Sequence, residues 1–449
     1  MKRLNRFLSM IIAFAIMLSV TASTEMLCSS TAPNPSLAQT NAAKTFLTTT
    51  DEYENQFNKL HFYMDSDQYE TIDSMSELQQ ALQTISSKQT NSLTTLSTNN
   101  NTSSDKDISL TVQFESDFQN TNFFKEMEQK RQSIKSVEEL RAFRRELNDY
   151  SKEFHKNLIT KNLPILVDFD YSEITPIEYS PFVSMRISTK NLSAFKLKSL
   201  VEKNEIVNIS LTADSYEEAY NSEIYNSFEE TDTTNQNVVL SWDRMLEELN
   251  IDDIVENQSY TGEGIYIGIC EAKGVCNPEH INLADKDITI NNCTTYTEHA
   301  TQVTSIIATL SPDASIFVSK RNSNQTALSW FLDQYCDIVN CSYYVGFPTG
   351  YRMDVDGIFD YIISTHFLIV ACAAGNYNAD ENTSSGFPNS AYNPDSCVFS
   401  PGFAYNAITV GGVVYDGSSW VFAKNGAGYN IPENSNCPTI KPTISAPFT

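Results

Sequence analysis

A carboxylate, an imidazole and a side-chain amide stand at Glu271, His299 and Asn376, where acyl-transfer chemistry could use them. Glu271 ends the apolar run Ile265–Cys270 and is followed by Gly274 and Val275. If that run is a strand of a parallel sheet, its carboxyl end faces the crevice where such sheets bind ligands. His299 precedes Val303, Ile306, Ile307 and Leu310, which recur at helical spacing. The ring therefore sits at the amino end of a buried helix, off its apolar face, where it can be aimed into a cleft. The run Ile369 to Ala373 passes through Ala374 and Gly375 to Asn376. Small residues let backbones approach closely there, and an amide at a strand end can donate to a developing oxyanion. Taken singly, each also has an ordinary reading: a solvated acid, a surface histidine, a Gly-Asn turn. Lys441-Pro442-Thr443-Ile444-Ser445-Ala446-Pro447 is by itself only a proline-rich loop.

These residues need a framework that brings them to one edge. From about residue 240, β-branched runs at Ile265–Cys270, Ser315–Ser319, Asp337–Ser342, Phe367–Ala373 and Ala407–Val413 alternate with helical patterns. The helical patterns lie at His299–Leu310, Ala327–Tyr335 and Gly357–Thr365. Strands alternating with helices predict an α/β fold, a parallel sheet with helices on both faces.

The preceding region reads as a small α+β unit. Ser136 with Glu139 forms a capping box, and Val137, Leu140, Phe143, Leu147, Tyr150, Phe154 and Leu158 give one apolar helix face. Leu163–Phe169 is a strand candidate, and Pro181–Ser188 alternates strictly, as a half-buried antiparallel strand does. A helix over Leu192–Glu202 and a strand over Glu205–Leu211 follow. Residues 24–110 are weakly patterned, with a helix predicted over Thr71–Ser87 and a low-complexity linker at Asn99–Ser104. Residues 214–239 form an acidic linker, the kind of exposed segment that proteases cut.

At the start, Lys2, Arg3 and Arg6 precede an apolar run from Phe7 to Val20 and the small residues Thr21, Ala22 and Ser23. This is the pattern of a secretory signal peptide over residues 1–23, an uncleaved anchor being the alternative. It predicts a secreted protein with no stable membrane insertion after cleavage. With 30 Lys and Arg against 56 Asp and Glu, the net charge of −26 repels phosphate backbones and excludes nucleic acid as a partner. Nine cysteines without a CxxC pair exclude a zinc cluster, and Cys270 and Cys372 fall inside strand patterns as candidate buried thiols. A nucleotide-binding reading of Gly262-Glu263-Gly264 fails because the glycines precede the strand instead of following it.

Together, residues 240–449 resemble the subtilisin-like serine peptidases, peptidase family S8. Glu271 stands where that family has its triad Asp. His299-Ala300-Thr301-Gln302-Val303 matches His-Gly-Thr-His-Val. Ala373-Ala374-Gly375-Asn376 matches the oxyanion motif, and Lys441–Pro447 matches the segment preceding the nucleophile. Val339-Asn340-Cys341-Ser342 matches the substrate-binding strand wall. The resemblance implies catalytic roles for Glu271, His299 and Asn376, and substrate contacts at Ser342 and Gly375. It implies a peptide or protein substrate and no required cofactor; structural calcium is common in the family, but no ligand set is legible here. It also implies that residues 111–213 contain a pro-domain acting as an intramolecular inhibitor.

The sequence departs from the family at two places. Glu replaces Asp, with one extra residue before Gly274. The nucleophile motif Gly-Thr-Ser-x-Ala/Ser-x-Pro does not occur before Thr449. The expectation is therefore a zymogen inactive by itself, the alternative being a non-catalytic secreted binding protein on a degenerate peptidase fold.

Overall fold

The computed structural model describes residues 60–61, 71–72, 107–166, 171–188, 206–211, 261–323, 326–345, 354–375, 398–415, 419–422 and 441–447. The predicted helix Leu192–Glu202 and both linkers lie outside them. Two short strands, β1 (Leu60–His61) and β2 (Thr71–Ile72), pair antiparallel. Thr71 and Ile72 thus belong to an extended pair and not to the predicted helix over Thr71–Ser87, whose remainder is outside the described residues.

The first layer is an antiparallel sheet of β3 (Asp107–Phe114), β4 (Tyr171–Pro176), β5 (Phe182–Ser188) and β6 (Ile206–Leu211), in the order β4-β5-β3-β6. It begins at Asp107, inside the region read as weakly patterned. Between β3 and β4 run α1 (Asn122–Ser133) and α2 (Val137–Asn162). The capping box forms: Ser136 Oγ accepts from the Glu139 amide at 3.2 Å. Glu139 Oε2 reaches back to the Lys135 amide at 2.6 Å. Leu163–Leu166, expected to open a strand, is instead a 3-10 turn continuing α2. Pro164 explains this: its fixed φ suits a helical turn, and its missing N–H ends the i→i−4 ladder.

The second layer is the expected parallel sheet. Its strands are β7 (Tyr266–Glu271), β8 (Ile288–Ile290), β9 (Ser315–Lys320), β10 (Ile338–Cys341), β11 (Ile369–Ala373), β12 (Ile408–Tyr415), β13 (Trp420–Phe422) and β14 (Ile444–Pro447). The order is β13-β12-β11-β10-β7-β9-β8, with β14 beside β12; β13 alone is antiparallel. Its helices are α3 (Glu298–Leu310), α4 (Ser329–Asp333) and α5 (Asp354–His366). Most of Lys441–Pro447, read as a loop, is the strand β14 paired parallel with β12; just before it Thr443 bonds β12 twice, its N–H donating to Thr409 O at 2.8 Å and its Oγ1 accepting from the Thr409 amide at 3.1 Å.

Alternation along the central strands sorts their residues between two faces. Cys270, Cys341 and Cys372 lie in one row across β7, β10 and β11, as free thiols in a core shared with Phe331, Phe359 and Ile362 of α4 and α5. Ile269 packs instead with Ala308 of α3 and Val318. Gly268 lets α4 close down: a Cβ there would lie 2.5 Å from the ring of Phe331, which is fully buried. Gly268→Ala should therefore cost roughly 1–3 kcal/mol, read as a lower urea midpoint at unchanged m-value.

The two layers share cores. Ile177, Tyr179 and Phe182 of the antiparallel unit are buried among the residues of α4 and α5. Thr111 donates to Asp354 at 2.7 Å, and the Tyr179 hydroxyl donates to Asp333 at 2.5 Å. His155, on α2, accepts from the Tyr361 hydroxyl at Nε2 (2.7 Å) and donates from Nδ1 to Ser151 O (2.8 Å). Burial pushes His155 down to about 4 and His366 to about 3. A histidine whose folded value lies below its unfolded value of about 6.5 binds protons better when unfolded. Their contribution to stability is complete above about pH 6.5 and is lost as pH falls through about 4 for His155 and about 3 for His366. Chemical-denaturation midpoints measured from pH 7 to pH 4 should fall, and less steeply in His155→Gln.

Candidate active site

The carboxyl edge of the parallel sheet brings Glu271 and His299 together. β7 delivers Glu271 to this edge, and the chain then turns back through Gly274 and Val275. Val275 exchanges two backbone hydrogen bonds with the segment leading into α3, its N–H to Thr295 O at 2.9 Å and its C=O from the Thr297 amide at 3.0 Å. A Cβ on Gly274 would fall 2.5 Å from Thr295 O, so only glycine allows this approach. Thr297 caps α3, its Oγ1 accepting from the Ala300 amide at 3.3 Å. The consequence is that His299, on the first turn, lies beside Glu271.

The contact is specific: His299 Nδ1 lies 2.7 Å from Glu271 Oε2. A carboxylate can only accept here, so Nδ1 carries the hydrogen and Nε2 is the basic nitrogen. Glu271 is buried, whereas the imidazole side chain is 63% exposed. Glu271 Oε1 is also buried and has no hydrogen-bond partner among the described residues. Burial raises the Glu271 carboxyl above its ordinary value, and the bond from His299 opposes this. That same bond raises His299, against its partial burial. An exposed base oriented by a sequestered acid is an arrangement that can accept and return a proton.

The other predicted residues are placed as follows. Ser342 follows β10, half-buried, and its Oγ accepts from Asn340 Nδ2 at 2.7 Å. Gly375 follows β11 at φ 108°, and the Phe399 ring covers it so closely that a Cβ would sit 2.2 Å away. Asn376 lies outside the described residues. Sequence reasoning missed the positioning roles of Thr297 and Gly274, although an N-cap threonine immediately before an apolar-periodic segment was a readable signal. It also missed Arg321, which stacks 5.3 Å from the Tyr343 ring at this edge and whose amide bonds Glu271 O at 2.9 Å. No spacing rule in the sequence reports that meeting. Among the described residues no cluster of three or more His, Cys, Asp or Glu could hold a metal ion. Among them, too, no helix is long and apolar enough to cross a membrane.

The parallel sheet with its helices is an α/β fold of the subtilisin type. Residues 276–448 match the subtilase (peptidase S8) family model, so His299 lies within the match and Glu271 just before it. The chain is similar to the prenylagaramide maturation protease PagA, with 14% identity over 40% of this chain and 63% of that one, at a TM-score of 0.30. It is similar to the MycP3 protease of the type VII (ESX-3) secretion system, with 16% identity over 40% and 64% of the two chains and a TM-score of 0.28. It is also similar to the epidermin leader peptide processing serine protease of Staphylococcus aureus, with 12% identity over 68% and 69% and a TM-score of 0.33. The chain thus spans less than two thirds of the length of the first two. No curated protein sequence matches it.

Proposed function

We propose that this protein is a secreted serine-type endopeptidase made as a zymogen, with Glu271 and His299 as the acid–base half of its catalytic machinery. The observation that carries the reading is the 2.7 Å bond from His299 Nδ1 to the buried Glu271 carboxylate at the carboxyl edge of the sheet. In this reading His299 Nε2 takes the proton of a serine hydroxyl as its oxygen attacks the scissile carbonyl. The amide of Asn376 donates to the oxyanion of the tetrahedral intermediate. His299 then passes its proton to the leaving amine, and water releases the acyl group by the same steps in reverse order of roles. Ser342 and Gly375 border the path of an extended peptide. Residues 107–211 are the folding partner of the peptidase domain.

The family's motif order puts the serine after the Lys441–Pro447 segment. The test is to express the gene's reading frame through any downstream Gly-Thr-Ser motif and treat the protein with a fluorophosphonate probe. Labelling that disappears in His299→Ala supports the peptidase. The second reading is a non-catalytic secreted binding protein. An unlabelled, folded protein would establish that one instead. Export predicts a mature amino terminus near Thr24, read by amino-terminal sequencing of the protein from culture medium.

A further inference from the structure

We propose that residues 107–211 remain a permanent, non-covalently held part of the peptidase body after the 212–260 connection is cut, and are not a module that leaves on maturation. The inference stands apart from the catalytic reading, because it rests on the opposite edge of the sheet. There α2 crosses the amino ends of β7, β10 and β11. Arg141 and Arg144 both pair with Asp337, which immediately precedes β10 and is 5% exposed. The Arg144 Nε–Asp337 Oδ1 distance is 3.0 Å, and Asp337 Oδ2 also accepts from the Tyr266 amide at 3.0 Å. Arg141 lies over the Tyr266 ring, 4.0 Å from its centre.

The same helix caps two helices of the peptidase layer. A helix leaves its last carbonyls without internal partners, and its carboxyl end attracts cations. At the end of α4, Asn148 Nδ2 donates to Leu332 O at 2.8 Å and Arg141 donates to Tyr335 O at 3.0 Å. At the end of α5, Arg144 donates to His366 O at 2.5 Å and to Phe367 O at 3.2 Å. Tyr335 and Phe367 are both left-handed, at φ 57° and 50°, a conformation that non-glycine residues hold only when their surroundings impose it. These two strained caps present their carbonyls to the two arginines.

Apolar burial points the same way. Phe124, Met127, Phe143 and Leu147 of α1 and α2 form one core with Ile265, Ile267, Ala314 and Ile338 of the parallel layer. Gly264 is part of this seam, since a Cβ there would lie 2.4 Å from Val137. Departure of the unit would expose that core face, uncap two helices and leave Asp337 without either arginine. None of these contacts involves the Glu271–His299 pair at the other edge.

The test inserts a site-specific protease sequence within residues 214–239 of the full chain, cuts it, and applies native gel filtration in high salt. The two fragments should co-elute with no free amino-terminal fragment. Backbone amides of Ile338–Cys341 and Ile369–Ala373 should keep their hydrogen-exchange protection after the cut. An Arg141→Ala/Arg144→Ala chain should release its fragment about 100-fold faster or more, the loss expected when a buried ion pair is broken. Separation of the wild-type fragments, or loss of that protection on cutting, would overturn the proposal even if the double variant fails to fold. An unchanged release rate in the folded double variant would overturn the role of the clamp. No arm reads catalysis, so failure here leaves the peptidase reading standing, and the reverse.

Discussion

Asp337→Ala is expected to lower the thermal midpoint by roughly 3–7 °C. Breaking a buried pair by removing one partner costs about 3–5 kcal/mol, and each kcal/mol is worth about 1–1.5 °C in a protein of this size. The size of the effect follows from what stays behind. Asp337 is the shared counter-charge of two guanidinium groups, Arg141 and Arg144, which are 8% and 6% exposed. Burial already disfavours the charge on Arg144, and the carboxylate of Asp337 is what opposes that. Truncation strands both cations and the Tyr266 amide together. Asp337→Asn retains the shape and some acceptors and should lose less. A triple variant replacing Asp337, Arg141 and Arg144 by Leu, Met and Met should recover much of the loss, since an apolar substitute for a buried ionic cluster is often near neutral. A stability for Asp337→Ala within about 0.5 kcal/mol of wild type, the range of ordinary surface changes, would show that the cluster is solvated and that this account of the edge is wrong.

None of that cluster was legible in the sequence. Arg141 and Arg144 read as the polar side of an amphipathic helix, and their partner lies 196 and 193 positions away. Local periodicity reports that a helix has an apolar face; it carries no information about which carboxylate its other face will meet. The same limit hid β3. Leu110, Val112 and Phe114 alternate and are buried, but β3 pairs with β5 and β6, far along the chain, and a polar linker precedes it. By contrast, α2 was readable because its capping box and its stripe of Leu140, Phe143 and Leu147 are local facts. The candidate site was readable for a related reason. A strand that ends in Glu and a helix that begins with His declare their own ends, and a parallel sheet collects the carboxyl ends of its strands at one edge. What the sequence did not contain is the fit of Gly274 against Thr295, which turns two neighbouring ends into a 2.7 Å contact.

In the peptidase reading proposed above, Glu271→Gln should reduce kcat by up to about 10⁴-fold, the scale of losing the orienting acid in a Ser-His-Asp triad. The amide has the same shape and its oxygen can still accept the Nδ1 hydrogen, but it brings no charge to stabilise the imidazolium, and its NH₂, turned to the ring instead, would hold the wrong tautomer. The same substitution has a readout that needs no turnover. The bond to Glu271 is the first cause that raises His299, so a proton-NMR titration should find His299 above its ordinary value of about 6.5 in the wild type and lower in the variant. A base works in its neutral form, so the acid limb of the variant's rate profile should move to lower pH while its plateau falls. Glu271→Asp should also lose activity, even though it restores the family's residue. β7 is held in register by β9 and β10, so the backbone at position 271 has little freedom to advance. An arm shorter by one carbon–carbon bond, about 1.5 Å, takes the oxygen beyond hydrogen-bond reach of Nδ1. The longer acid and the tight turn at Gly274 therefore act as a matched pair. An Asp variant that titrates and turns over like the wild type would break that match, and with it the assignment of Glu271 as the residue that orients His299.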